Sequence, residues 1–293
     1  MKDREPTIRS RTLGDGLRQA MKYAGFNAAE MAHQLGWSPS RVSRILSGKR
    51  GGSSVDVATF LAVCGIRGEE RDRLMTLTLD QNDPGWLQNH GARLPTQLLT
   101  LIDHETKAQK ISQLELNLIP GLLQTGEYAR CLIEEAGTTP PGEIDARVAA
   151  RLGRKNVFSR RQAPLCIFYV HEFALRLPVG GPVVMSGQLH ELLKVSVRPS
   201  IMLRIVPAAR GAHAGINGSF QLLEFRNIKP VVYLESETSS LFLERPVEID
   251  SYRTILSALD ATALPEGQSR EFIAGLAMEL YSDREANDHL AEE

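Results

Sequence analysis

Cysteine is scarce in this 293-residue chain. The three present, Cys64, Cys131 and Cys166, lie far apart and make no C-x-x-C pair. That spacing excludes a disulfide framework, a zinc ribbon and a dithiol redox motif. Long apolar runs are missing too, and none approaches the roughly 20 residues a membrane-spanning helix needs. The opening stretch, Met1 to Arg11, is polar and charged and lacks the apolar core of a secretory signal, so a cytoplasmic location is expected. Catalytic signatures fail on inspection. His171-Glu172 begins like a zinc-protease helix, but the second histidine would fall at 175, where Leu175 stands. There is no G-x-S-x-G elbow and no P-loop. Gly211, Gly215 and Gly218 lie between two strand-like runs rather than before a helix, which fits a flexible loop and not a dinucleotide fingerprint. The residues thus give no reason to expect an enzyme, a metal or a cofactor.

What is present is an ordinary folded composition, 42% hydrophobic and 24% charged, in a length of about two domains. The formal net charge of −1 hides a division. Residues 1–52 carry ten Lys/Arg against four Asp/Glu, and the remainder carries 24 against 31. A small basic head on a mildly acidic body is the charge layout of a DNA-binding domain joined to a regulatory one.

The head has a motif to match. Leu13, Leu17, Ala20, Met21 and Ala24 recur at helical spacing and Gly25 stops them. Asn27 and Glu30 make an N-cap and capping-box pair for a second helix burying Ala28, Met31, Ala32 and Leu35. Gly36 breaks it. Ser38 caps a third helix with Pro39 at its first position, Val42, Ile45 and Leu46 inward, and Gly48 at its end. A small residue where two helices touch (Ala32), a turn residue tolerant of positive φ (Gly36) and apolar plugs at Val42 and Ile45 are the requirements of a helix-turn-helix. Ser38, Ser40, Arg41, Ser43, Arg44 and Ser47 are then the candidate DNA-binding residues of the third helix. Arg44 is set one turn after Ser40 to reach a guanine edge. Lys49 and Arg50 are expected on phosphates, and Arg9 and Arg11 on a flexible arm ahead of the first helix. Val55 to Cys64 and Arg71 to Leu79 supply two more helices.

A polar run, Asp80 to Gly85, reads as a linker, which divides the chain into 1–82, a helix-turn-helix domain, and 83–293, a regulatory domain. In the body, one helix is expected from Leu98 to Leu116, a second capped by Thr125, and a third over Glu143 to Arg161. Strands follow at 164–170, 201–206, 220–225, 231–235 and 241–243, with a short helix at 186–195 among them. Helices over 247–261 and 269–281 come last, then a frayed tail from Ser282 to Glu293. The order predicts an α+β fold overall: an all-α head followed by an α+β body. Glu172, Arg176, His213 and Glu235 are the candidate ligand- or partner-binding residues; Glu224 and Glu237 also fall in or just after strands. The loop from Gly211 to Gly218 is the candidate moving part.

Leu13 to Arg50 resembles the Xre/Cro-type helix-turn-helix of bacterial repressors. The run Ile119 to Ala129, with Glu172 to Arg176, Gln188-Leu189, Ile205 to Pro207, Gly211 to Phe220 and Val232 to Glu235, resembles a domain of unknown function that follows an Xre-type head in many actinobacterial regulators of WhiJ type. The resemblance implies a transcription regulator of development or specialised metabolism, acting as a homodimer on double-stranded DNA, often with a small partner protein encoded nearby. Pro39 and Leu46 stand where the family often has Gln and Glu, so the resemblance predicts no operator sequence. An antitoxin-like binding protein and a DNA-tethered enzyme are the alternatives.

Overall fold

The structure, a computed structural model, describes residues 6–49, 52–79, 86–89, 96–236 and 239–291. The expected linker at 80–85, Arg50 and Glu237 lie outside the described residues. The head is five helices: α1 (Ile8–Tyr23), α2 (Ala28–Leu35), α3 (Pro39–Leu46), α4 (Ser54–Val63) and α5 (Gly68–Thr76). The body holds β1 (Trp86–Asn89), α6 (Thr96–Lys107), β2 (Lys110–Glu115), α7 (Gly126–Glu135), α8 (Ile144–Gly153), β3 (Leu165–His171), α9 (Glu172–Arg176) and α10 (Gly181–Val195). It continues through β4 (Ile201–Val206), β5 (Phe220–Glu224), β6 (Val231–Glu235), β7 (Ser239–Leu243), α11 (Pro246–Thr262) and α12 (Glu266–Ala291). The fold is α+β. The seven strands form one mixed sheet in the order β1-β7-β6-β5-β2-β3-β4. β2, β3 and β4 run parallel, and the other pairings are antiparallel.

Both faces of the sheet are covered. Leu114, Tyr169, Phe220, Leu222 and Val232 pack on Ile249 and Leu259 of α11. Ile111, Phe168, Leu203, Leu223 and Phe242 face the other way, into an apolar cluster that also takes in the head residues Ile8, Leu17, Val42 and Phe60. Head and body therefore share a continuous core rather than hanging on a linker.

Three expected boundaries are corrected. The helix from Leu98 stops at Lys107, and residues 110–115 are a central strand. Ile111 and Leu114 are spaced like a helix, yet one faces each covered side of the sheet, so the strand shows no clean alternation. The helix from residue 144 ends at Gly153 and tightens into a 3-10 turn over Arg154–Ser159, which turns the Arg154 side chain inward to Glu105. The C-terminal helix does not fray at Ser282: α12 starts right after Pro265 and runs to Ala291, with no glycine after Gly275 and no proline to stop it.

Candidate nucleic-acid interface

The helix-turn-helix is held by local capping. Asn27 Oδ1 accepts from the Ala29 and Glu30 amides, and Glu30 returns a bond to the Asn27 amide. Gly36 sits at φ 63°, the left-handed region that ends α2 and launches the turn. Ser38 Oγ accepts from the Arg41 amide at 3.3 Å and lies 3.2 Å from Ser40 Oγ. Ala32, Val42 and Ile45 are buried where the sequence requires them. α3 crosses α1 at close range: a Cβ on Gly14 would lie 2.3 Å from the Leu46 carbonyl oxygen.

The candidate reader residues divide by what already holds them. Ser38, Ser40 and Ser43 are exposed. Arg44 is half-buried, and its Nε is buried without a hydrogen bond among the described residues. Ser47 Oγ donates to the Arg44 carbonyl at 3.1 Å. Arg41 is engaged: it donates to Asp56 Oδ1 of α4 at 2.8 Å, with its guanidinium 4.4 Å from the Trp37 ring centre. That makes it a pin between α3 and α4. Lys49 is exposed just past Gly48.

The flexible arm is a correction. Thr7 N-caps α1, so Arg9 and Arg11 lie inside the helix. Arg9 donates to the Leu79 carbonyl at 2.6 Å. Arg11 is buried and donates to Glu244 Oε1 at 3.3 Å, turned toward the body instead of outward. Burial pushes the Arg11 guanidinium below its usual pKa and the Glu244 carboxyl above its own, each opposed by the other's charge.

In the body, Glu172, Arg176 and His213 come together at one end of the sheet. Arg176 Nε donates to Glu172 Oε1 at 2.7 Å, and the Ala208 amide donates to Glu172 Oε2 at 2.9 Å. Burial opposes ionisation of Glu172, but these bonds outweigh it and its pKa lies below the usual carboxylate range. Arg176 also pairs with Glu279 at 3.6 Å and stands over the Phe272 ring. The His213 ring stacks on His171 with centres 5.7 Å apart, and burial and that neighbour lower its pKa. Each ring's Nδ1 accepts a backbone amide, Gly215 for His213 and Phe173 for His171. No group of three metal-ligating side chains is found among the described residues. Glu235 stands apart from this group, three strands away on β6.

Near Glu235 lies a polar cluster that the sequence reading missed. Arg154 makes a bidentate pair with Glu105, at 2.9 and 2.7 Å, and Gln221 Nε2 donates to the same carboxylate at 3.0 Å. Gln113 Nε2 donates to Glu115 Oε1 at 2.7 Å, leaving its own Oε1 buried and unbonded among the described residues. Arg151 reaches Gln124 at 3.2 Å. Burial raises Glu115 to about 7, with Glu235 adding to the effect. Polar residues at inward strand positions, Gln113 and Gln221, were the available signal. The run Ile119 to Ala129 wraps this cluster. Gln124 donates to the Ile119 carbonyl, Ile119 donates to the Tyr128 hydroxyl, and Gln188 bonds both the Leu123 carbonyl and the Thr125 amide.

Residues 12–74 match the family described as Helix-turn-helix domain. Residues 98–275, more than half of the chain, match the family described as Domain of unknown function (DUF5753). The chain belongs to the DUF5753 family. The match begins in α6 and ends in α12, so it includes six of the seven strands and the polar cluster. No curated protein matches this DUF5753 chain. Among solved structures, TrmBL2, an archaeal chromatin protein whose structure shows a novel mode of DNA binding, is similar at 11% identity and TM-score 0.28. The likeness covers 67% of this chain and 60% of that one, and it is too loose to bear on function.

Proposed function

We propose that the protein is a sequence-specific DNA-binding transcription regulator of the Xre type, with a DNA-binding head over 1–82 and a regulatory body over 83–293. The observation that carries the reading is α3: a capped helix on a helix-turn-helix scaffold, with Ser40 and Ser43 exposed and Arg44 half-exposed beside them. Such a helix fits the major groove, with Arg44 on a guanine edge and Ser40 and Ser43 on neighbouring edges. Lys49 and Arg50 take phosphates. Ser38 and Arg41 hold the helix in place, and Ser47 closes its end. A single head makes few base contacts, so a homodimer on paired half-sites is the assembly we propose.

The body is the sensing part. Its two candidate sites are the Glu172–Arg176–His213 group and the polar cluster next to Glu235. The occupant we propose is a small ligand or a small partner protein, and its binding shifts operator affinity by roughly 5–150-fold, the usual range of coupling between two sites. The shared core of head and body supports such coupling. Selecting duplexes from a random pool with the full chain, then footprinting upstream of its own and neighbouring genes, tests the reading. A palindromic protected site supports it, and failure to enrich any sequence overturns it. Light scattering of the full chain, free and on the selected duplex, tests the dimer; a monomer in both states rejects it.

A further inference from the structure

The body's charge is sorted by position, and the sorting bears on how far DNA contact extends. One end of the sheet is where β2, β3, β4 and β6 begin and where β5 and β7 finish. Three of the chain segments at this end are 156–164 ahead of β3, 196–200 ahead of β4, and 225–230 between β5 and β6. Together they carry Arg160, Arg161, Arg198, Arg226 and Lys229, and no acidic residue. Arg160, Arg161, Arg198 and Arg226 are exposed and make no ion pair among the described residues. The opposite end carries Glu115, Glu172 and Glu235 together with Arg176 and Arg210. These three segments thus form a basic rim on a body with an excess of acid; the acids at the same end, Glu224 and Glu244, are paired with Arg253 and Arg11.

That rim is the end on which the head sits. Arg18 bonds the Leu46 carbonyl at the last turn of α3 and also pairs with Asp15. Asp15 in turn accepts from Lys107 at 2.6 Å, and Lys107 from its other side meets Asp103 at 2.7 Å. Four side chains therefore link the end of the candidate reader helix to the end of α6. Lys110 begins β2 three residues later, in register with Leu165 of β3, and Cys166 pairs with Ile201 of β4. On α1 the residues that meet the C-terminal end of α3 and the turn after it (Gly14 against Leu46, Ser10 against Gly48) and those that meet the body (Arg11, Asp15) are each one position apart, about 100° around the helix. The body therefore lies beside α3 and not behind it.

We infer that this rim is a second DNA-contacting surface, in which Arg160, Arg161, Arg198 and Arg226 bind backbone phosphates of the duplex flanking the site read by α3. This rests on the DNA-binding reading above. Duplex DNA carries one charge per about 1.7 Å of axis, so a duplex continuing past α3 offers a line of phosphates to match a line of arginines. These contacts carry no sequence information; they add affinity and fix orientation.

The test is the full-length variant Arg160→Gln/Arg161→Gln/Arg198→Gln/Arg226→Gln, with Arg210→Gln at the other end of the sheet as control. Affinity for a selected 40-base-pair duplex and for a version trimmed to the footprint of α3 is measured from 50 to 250 mM salt. Each lost phosphate contact flattens the log–log salt dependence by about 0.9, so the expected slope on the long duplex is shallower by about two to four units. The Arg210 variant is expected to match the wild type, and the quadruple variant's deficit is expected to vanish on the trimmed duplex. All four sites are exposed, and an unchanged thermal melt checks the fold. An unaltered slope in a quadruple variant, with the wild type binding well, overturns the second surface and leaves the head's role standing. A deficit equal on both duplexes also overturns it. A wild type that binds neither duplex overturns the DNA-binding reading itself, and this one with it.

Discussion

Glu244 caps the first helix of the head from 236 residues away: both of its carboxylate oxygens lie 2.9 Å from the Ile8 amide nitrogen. The first amides of a helix have no partner within it and favour negative charge. Here the charge comes from the residue after β7. Arg11, one turn into α1, lies on the same carboxylate, and both side chains are almost fully covered. Head and body are joined by a buried charge pair as well as by apolar packing.

The first prediction is therefore about this pair. Glu244→Ala leaves Arg11 buried without its partner and α1 without its acceptor, at an expected cost of about 3–5 kcal/mol. Arg11→Met with Glu244→Leu removes both charges and is expected to restore most of that loss. Urea unfolding of the three proteins measures it. A double variant as unstable as Glu244→Ala would mean the charge pairing is not the source of the loss.

Glycine placement gives a second prediction, with opposite signs at two helical sites. Gly14→Ala places a methyl 2.3 Å from the Leu46 carbonyl oxygen, which is backbone and cannot swing away. It is expected to cost about 1–3 kcal/mol and to displace the end of α3. Gly187→Ala in α10 meets nothing within 4 Å and is expected to stabilise by about 0.5–1 kcal/mol. Thermal melts read both, and only the first should weaken duplex binding.

Much of the head was legible in the sequence because its signals are local. Asn27, Glu30, Gly36, Ser38 and Pro39 each act within a few residues, and the α2 and α3 boundaries fall where they were read. Arg11 was misread for the complementary reason: its partner, Glu244, is remote, and an arginine near a chain start looks the same whether it waves free or is buried. In the body, strands β4 and β6 were visible in their β-branched and alternating runs, and β2 was not, because a central strand covered on both faces loses its alternation. The polar cluster escaped notice because Glu105, Gln113, Arg154 and Gln221 come from four separate elements. A helix–strand pattern shows that a polar residue faces inward but not which other polar residue meets it.

The third prediction separates reading from positioning on the head. Arg44→Ala is expected to weaken binding to a selected duplex by about 1–3 kcal/mol and to relax preference at one base pair. Lys49→Ala is expected to weaken binding to all sequences alike and to flatten the salt slope by about one unit. Arg41→Ala, which frees Asp56 and uncovers Trp37, is expected to lower stability as well as binding. Competition binding across single-base variants of the duplex, alongside melts, distinguishes the three. An Arg44→Ala protein with the wild-type base preference would remove Arg44 from base reading.

The last prediction concerns pH, where two buried groups act in opposite directions. Burial raises the Glu115 carboxyl from an ordinary 4.5 to about 7, so the folded protein holds a proton there that the unfolded chain releases. Its contribution is full below about pH 4.5 and is lost as pH rises through 7, a change on the order of 3 kcal/mol. His104, packed against Phe225 and Phe242 with its Nδ1 2.7 Å from the Thr100 carbonyl, is pushed by burial, and by the charge of Arg11, from 6.5 down to about 4. Its contribution is full above about pH 6.5 and is lost as pH falls through 4, by a similar amount. Between pH 4.5 and 6.5 the two slopes oppose and largely cancel. Glu115→Gln is neutral at every pH, so it removes the falling slope and leaves the histidine's rising one exposed. Its stability relative to the wild type is expected to grow by about 2–3 kcal/mol from pH 4.5 to 7.5, and the variant itself is expected to weaken steeply below pH 6. His104→Gln is expected to do the reverse, holding its stability in acid and losing it toward neutral pH. Urea midpoints for the three proteins at half-unit intervals from pH 4 to 8 give the curves. If the Glu115→Gln curve runs parallel to the wild type across that range, the carboxyl titrates alike in the folded and unfolded states and is not held protonated by the fold.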